Sequence, residues 1–304
     1  MASVQQQTII AGLRIIRRKK LWQDPERLLQ DAREQQRDWP PNPPEKITQR
    51  VQIQTDESRG FPVFTFQPKS GGSSPRRQAL YIHGGGYIHA MGAAHFKLIA
   101  TLVERAGLTV VAPCYPLAPD QGWRDSFDAV VDLARQQDGP GTPLLMGDSA
   151  GAGYALAVTE ILASEGRRPR AVLISPYGDA FASDPRTAKY DARDPYLAAV
   201  GVRTALQAWA GDDDPKRPEI SPLFGSFAEI ERMLIFTGTR DTIHPQAHQI
   251  YDKAQADGVD CRLVIEDGCI HVYPLMPIPE ARRAIDMIVD FVTDDSNSRE
   301  HPDV

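Results

Sequence analysis

Leu144-Leu145-Met146-Gly147-Asp148-Ser149-Ala150-Gly151 is the stretch whose reading decides the fold. Three apolar residues run into Gly-x-Ser-x-Gly, and small residues of helical character continue to Glu165. This order predicts a buried strand that turns sharply into a helix, the context a nucleophile elbow requires. Gly147 and Gly151 let the turn close without Cβ clashes, so the Ser149 hydroxyl stands clear of the sheet. The helix start behind it offers backbone N–H groups to a developing negative charge. Asp148 reads as a loop-stabilising carboxylate, because successive residues of a tight elbow point different ways. A strand-to-helix turn of a nucleotide-binding fold is the competing reading. Against it, no G-x-x-x-x-G-K-[ST] is present, and Gly151-Ala152-Gly153 opens no dinucleotide fingerprint.

Outward from this turn, short apolar runs alternate with helical patterns. Strands are expected at 79–83, 108–114, 171–175, 233–237 and 261–265, and helices at 96–106, 123–136, 246–256 and 279–292. That rhythm describes βαβ units around a parallel sheet, an α/β fold. Upstream, 47–54 and 61–67 read as an antiparallel pair about Gly60, followed by a loop at 70–75. Residues 1–46 read as a helical segment closed by Trp39-Pro40-Pro41-Asn42-Pro43-Pro44, which no helix crosses. The main domain then occupies 47–294, with a polar tail at 295–304. One interval breaks the rhythm: 176–230, rich in Asp, Pro and Gly, with a helical stretch at 202–210. A connection this long is expected to be functional, and it reads as a cap over the strand ends together with the N-terminal helices.

The 304 residues are 41% hydrophobic and 24% charged, with a formal net charge of −6. That is ordinary globular composition, and its sign argues against a nucleic-acid partner. Cys114, Cys261 and Cys269 form no C-x-x-C and cannot all pair within the chain, which suits reduced core thiols in the cytoplasm. No apolar run is long enough for stable membrane insertion. Ile9, Ile10, Leu13, Ile15 and Ile16 precede Arg17-Arg18-Lys19-Lys20, the reverse of a secretory signal. An amphipathic helix packed on the body fits better, with a lid or a membrane-surface contact as sharper alternatives.

A second glycine motif, His83-Gly84-Gly85-Gly86, ends the strand at 79–83. Its exposed N–H groups, with that of Ala150, are suited to an oxyanion, whereas a phosphate loop would want a basic residue where Tyr87-Ile88-His89 stands. His83 reads as a structural residue that fixes the loop. The pair His-Gly-Gly-Gly and Gly-Asp-Ser-Ala-Gly resembles the hormone-sensitive-lipase-like (bacterial esterase/lipase) branch of the α/β-hydrolases, over residues 79–292. Tyr115-Pro116-Leu117-Ala118-Pro119 resembles the same family's segment after the fourth strand. Ala152, where the family often has glycine, is a minor departure.

The resemblance implies an eight-stranded, mostly parallel sheet flanked by helices, a helical cap, and ester hydrolysis without a cofactor; no metal is expected either, since no His/Asp/Glu cluster has ligand spacing. Its oxyanion donors would be the N–H groups of Gly85, Gly86 and Ala150. It also allows a homodimer through the last strand and helix. The expected chain order is serine, acid, histidine. Of the histidines after Ser149, His301 lies in the tail and His248 within a helix, while His271 follows a strand and a turn at 266–268. His271-Val272-Tyr273 resembles the family motif. Asp241 follows the strand at 233–237, with Glu266 and Asp267 in reserve. Asp241-Thr242-Ile243-His244-Pro245 departs from the family in lacking a second acidic residue, which bears on local geometry.

The expectation is a carboxylesterase acting on small esters of short to medium acyl chains through Ser149, His271 and Asp241. A deacetylase of sugars or other small molecules, an amide or carbamate hydrolase, and a non-catalytic binding member of the fold are the alternatives.

Overall fold

The structure, a computed structural model, describes residues 2–69, 77–137 and 142–294. The expected loop at 70–75 and the tail at 295–304 with His301 lie outside the described residues. Eight strands form one sheet in the order β1-β2-β4-β3-β5-β6-β7-β8. They are β1 (Val51–Asp56), β2 (Val63–Pro68), β3 (Gln78–Ile82), β4 (Thr109–Pro113), β5 (Leu144–Asp148), β6 (Arg170–Ile174), β7 (Arg232–Arg240) and β8 (Asp260–Ile270). β2 pairs antiparallel with both β1 and β4, and every other pairing is parallel, as where Gly147 of β5 stands beside Leu173 of β6. This is the α/β-hydrolase architecture. The central strands are buried from end to end because helices cover both faces, so their sequences are continuous apolar runs.

One face is covered by the helices Ala93–Ala106 and Pro279–Thr293, the other by Phe127–Arg135, Ala150–Ser164 and His244–Ala256. Ala150–Ser164 is buried on nearly every side, so a strong amphipathic pattern is missing from a helix that runs through the core. The N-terminal helices Arg18–Trp22 and Pro25–Gln35 pack on Ala199–Ala210, a helix of the long β6–β7 connection. Gly201 allows that approach, since a Cβ there would collide with the Trp22 backbone. Trp209 then stacks on Tyr87, ring centroids 4.3 Å apart, an aromatic contact worth about 1 kcal/mol beyond the area it buries.

Three expectations are corrected. Residues 47–50 are not strand: Pro44 starts a short helix, Glu45–Thr48, and pairing begins only at Val51. The helix expected at 123–136 is broken into a 3-10 turn, Trp123–Asp125, and the helix Phe127–Arg135. Ser126 sits at the break with non-helical dihedrals, and its buried hydroxyl bonds the Tyr154 hydroxyl at 3.0 Å. Residues 266–268 are not a turn but a bulged part of β8. Thr239 Oγ1 accepts the Gly268 N–H at 2.8 Å and donates to Asp267 at 3.1 Å, replacing the ladder bonds that the register shift removes.

All three cysteines are free and buried, and burial pushes each thiol up to about 12, so none is poised as a nucleophile. Among the described residues no helix is long and apolar enough to cross a membrane.

Candidate active site

β5 ends at Asp148, and the next residue, Ser149, has φ 53° and ψ −122°. A side chain rarely adopts that backbone region, and here the Ser149 N–H bond to the Ile174 carbonyl (2.8 Å) and the following helix hold it there. Room for so sharp a turn comes from glycine. A Cβ on Gly151 would strike the Ile82 and His83 carbonyls, and one on Gly147 the Gly151 carbonyl.

Asp241 and His271 stand in the same place on their own strands, directly after β7 and β8. Parallel strands bring all three residues to one edge of the sheet, where ligands of open α/β folds bind. His271 Nδ1 lies 2.9 Å from Asp241 Oδ2, and its Nε2 2.8 Å from Ser149 Oγ. A carboxylate only accepts, so Nδ1 carries the proton and Nε2 is left to accept from the serine hydroxyl. Val272 takes a left-handed conformation (φ 49°), and its N–H donates to Ser175 Oγ at 3.0 Å, which anchors the histidine loop. Burial opposes the imidazolium of His271, but the carboxylates of Asp241, Asp194 and Asp148 outweigh it and raise its pKa above the ordinary histidine value.

The glycine loop after β3 faces the serine. Gly85 and Gly86 have φ of 111° and 66°, conformations open to glycine, and among the described residues no backbone carbonyl accepts their N–H groups. The Ala150 N–H is in the first helical turn, where none has an intrahelical partner. All three residues line one cavity with Ser149 and His271. Asp148 fastens this loop to the elbow: it accepts from Tyr81 Oη at 2.6 Å, the Gly84 N–H at 3.1 Å and His95 Nε2 at 3.3 Å. Burial opposes its charge, yet His95 and these donors hold its pKa below the usual carboxylate value. His83 is buried, stacks on Tyr115 at 4.4 Å and bonds the Gly84 carbonyl, and burial lowers its pKa to about 4, so it stays neutral. Tyr115 returns a hydrogen bond to the His83 carbonyl at 2.8 Å, so the segment after β4 braces the loop.

Two supporting residues escaped the sequence reading. His95 accepts the Gly92 N–H on Nδ1 (2.8 Å), which leaves its Nε2–H for Asp148. Its signal was the Gly92-Ala93-Ala94-His95 start of a helix, with a polar residue at the third position. Asp194, from the β6–β7 connection, accepts the Thr242 N–H at 2.8 Å and the Thr242 hydroxyl at 2.9 Å, and the N–H groups of Tyr196 and Leu197. It supplies an acidic group behind Asp241, where the local sequence Asp241–Pro245 has no second one. Burial and the Asp241 charge push its pKa up. The reserve acids lie elsewhere: Glu266 pairs with Arg283 at 3.0 Å and Asp267 bonds Thr239. His244 and His248 face each other at 3.1 Å on one helix, away from Ser149. Among the described residues no group of three or more His, Cys, Asp or Glu is placed to hold a metal ion.

The cavity holds about 270 Å³, with largely apolar walls from Trp22, Leu197, Val202, Ala205 and Leu206. Hence the same helices that cover the sheet edge also shape the space above the serine.

A family profile described as the alpha/beta hydrolase fold matches residues 79–275. The chain is 30% identical over 226 residues to an acetyl-hydrolase of Streptomyces hygroscopicus, covering 71% of this chain and 75% of the relative. It is 29% identical over 258 residues to an ethyl acetate hydrolase of Pseudomonas putida, covering 79% and 80%. Its fold is similar to a crystal structure of an esterase from the bacterial hormone-sensitive lipase family, with a TM-score of 0.77 at 24% identity over 96% of this chain and 99% of that one. With its two glycine motifs at one sheet edge, the chain belongs to the α/β-hydrolase family.

Proposed function

We infer that this carboxylic-ester hydrolase acts on small esters of short to medium acyl chains, through Ser149 as nucleophile, His271 as base and Asp241 as its orienting acid. The observation that carries the reading is the unbroken relay Ser149 Oγ, His271 Nε2, Nδ1 and Asp241, beside three N–H groups in one cavity. Ser149 Oγ attacks the ester carbonyl as its proton passes to His271 Nε2. The oxyanion accepts from the N–H groups of Gly85, Gly86 and Ala150. Collapse expels the alcohol, which takes the proton from His271. Water, deprotonated in turn by His271, then releases the acid and restores Ser149.

The cavity supports a small substrate. A volume of about 270 Å³ lies just below the ~300–1,000 Å³ usual for ligand sites. Acetyl is the favoured acyl group, since one relative is named an acetyl-hydrolase and another an ethyl acetate hydrolase. The N-terminal helices and the 176–230 insertion act together as the cap that limits chain length. Ser149→Ala should lower p-nitrophenyl acetate turnover by about 10³-fold or more with an unchanged circular dichroism spectrum. A fluorophosphonate should label Ser149 in the unmodified protein. Retained turnover in the variant, or no label, would sink the assignment.

A further inference from the structure

One cationic side chain in the cavity has no part in this chemistry. Arg18 opens the helix Arg18–Trp22, is half-buried, and lines the same space as Ser149 and His271. Among the described residues it forms no ion pair, whereas its neighbour Lys19 is matched by Asp191 at 3.2 Å. It faces the ring of Tyr196, 5.6 Å from guanidinium carbon to ring centroid, and its charge helps to lower the pKa of His89. Arg18 and Asp31 both act on the charge of His89, and the Asp31 carboxylate accepts from Gln35 at 2.6 Å and lies 3.7 Å from His89. Around Arg18 the chain places Arg14, Arg17, Lys19 and Lys20 with no acid among them, in a protein of net charge −6. A guanidinium beside apolar walls attracts an anion more strongly than one in open water, and its planar fork matches a carboxylate.

Position bears on the side of the substrate. Tyr196 lies 6.3 Å from the His271 ring, centroid to centroid. His271 is the group that returns a proton to the departing alcohol, and Tyr196, the ring that Arg18 faces, is its neighbour. We propose that the substrate is an ester whose alcohol half carries a carboxylate, and that Arg18 receives that carboxylate. The inference rests on the ester-hydrolase reading above. The competing role for Arg18 is a strut that merely holds its helix on Tyr196.

The two roles separate in a matched pair of substrates. 4-Acetoxybutanoate and 4-acetoxybutanamide have the same acyl group and chain, and differ in charge at the far end of the alcohol. Acetate release should give a kcat/KM at least about tenfold higher for the carboxylate, carried mainly by KM, as expected of a charged hydrogen bond. That advantage should shrink as salt is added. Arg18→Gln should bring the ratio close to one, and Arg18→Lys should keep part of it. A ratio near or below one in the unmodified enzyme, or one that Arg18→Gln leaves in place, overturns the proposal. A strut role would lower both esters alike and leave the ratio standing. Should Arg18→Gln fold poorly, the ratio in the unmodified enzyme and its salt dependence still decide. Turnover of neither ester, nor of p-nitrophenyl acetate, would instead overturn the ester-hydrolase reading itself and this inference with it.

Discussion

His271 carries two opposed influences, burial against its charge and three carboxylates for it, and the carboxylates prevail. In the proposed role of base it must be neutral, so kcat/KM should fall on the acid side through a midpoint above the ordinary histidine value of about 6.5. Asp241→Asn should move that midpoint down, because the raising charge is gone. It should also lower kcat by about 10³–10⁴-fold, since an amide at this position can stabilise the wrong tautomer. A pH–rate profile of both proteins checks the pair of outcomes, and an unmoved midpoint would refute the electrostatic account. Gly151 is tested differently. In Gly151→Ala the new Cβ meets the Ile82 and His83 carbonyls, so strand β3 or the elbow must shift. We expect a loss of about 2 kcal/mol and a lower kcat, read by denaturant melts and initial rates.

At the scale of the element, the Ala150–Ser164 helix must be apolar nearly all round, yet it carries Glu160. That side chain is buried against Gly225 and Ser226, and among the described residues its Oε1 finds no partner. Burial raises its pKa to about 9. The sign follows from proton counting. Between the unfolded value near 4.5 and the folded value near 9, the native state binds the extra proton, so this group's contribution to stability declines as pH rises across that window. The slope is at most about 1.4 kcal/mol per pH unit. Glu160→Gln, which stays neutral, should flatten the decline and raise the melting temperature at pH 8 more than at pH 5. Equal shifts at the two pH values would contradict this. Elsewhere at this scale the sequence was legible where periodicity was strong. It misled at 266–268, because Glu-Asp-Gly suits a turn and a bulge equally well and only the Thr239 side chain across the strand pair chose between them.

Over the whole molecule, the N-terminal segment is stapled to the hydrolase body at several points. Ser3 bonds Glu280 of the last helix through its N–H (2.6 Å) and its hydroxyl (2.8 Å). Trp22, almost fully buried, is wedged between Gly86 of the glycine loop and Gly201 of the Ala199–Ala210 helix. Trp22→Ala should therefore destabilise the protein by about 3 kcal/mol and widen the cavity beside Gly86. The measurable result is a lower melting temperature together with a relative gain for longer p-nitrophenyl acyl esters over acetate. An unchanged chain-length profile would show that this wall does not set acyl size.

What the sequence determined by itself was the sheet and the identity of the three residues at its edge. Strand–helix alternation, Gly147-to-Gly151, His83-to-Gly86 and the order of Ser149, Asp241 and His271 are local patterns, each set by backbone sterics or by residue spacing. What only the tertiary structure decided were the partners contributed from distant segments. Asp194 reaches Thr242 across 48 positions, His95 reaches Asp148 across 53, and the Arg18–Trp22 helix closes the cavity from the far end of the chain. None has a periodic or motif signal pointing at its target, because a hydrogen bond or a wall formed across the fold depends on distances that arise only once the chain has packed.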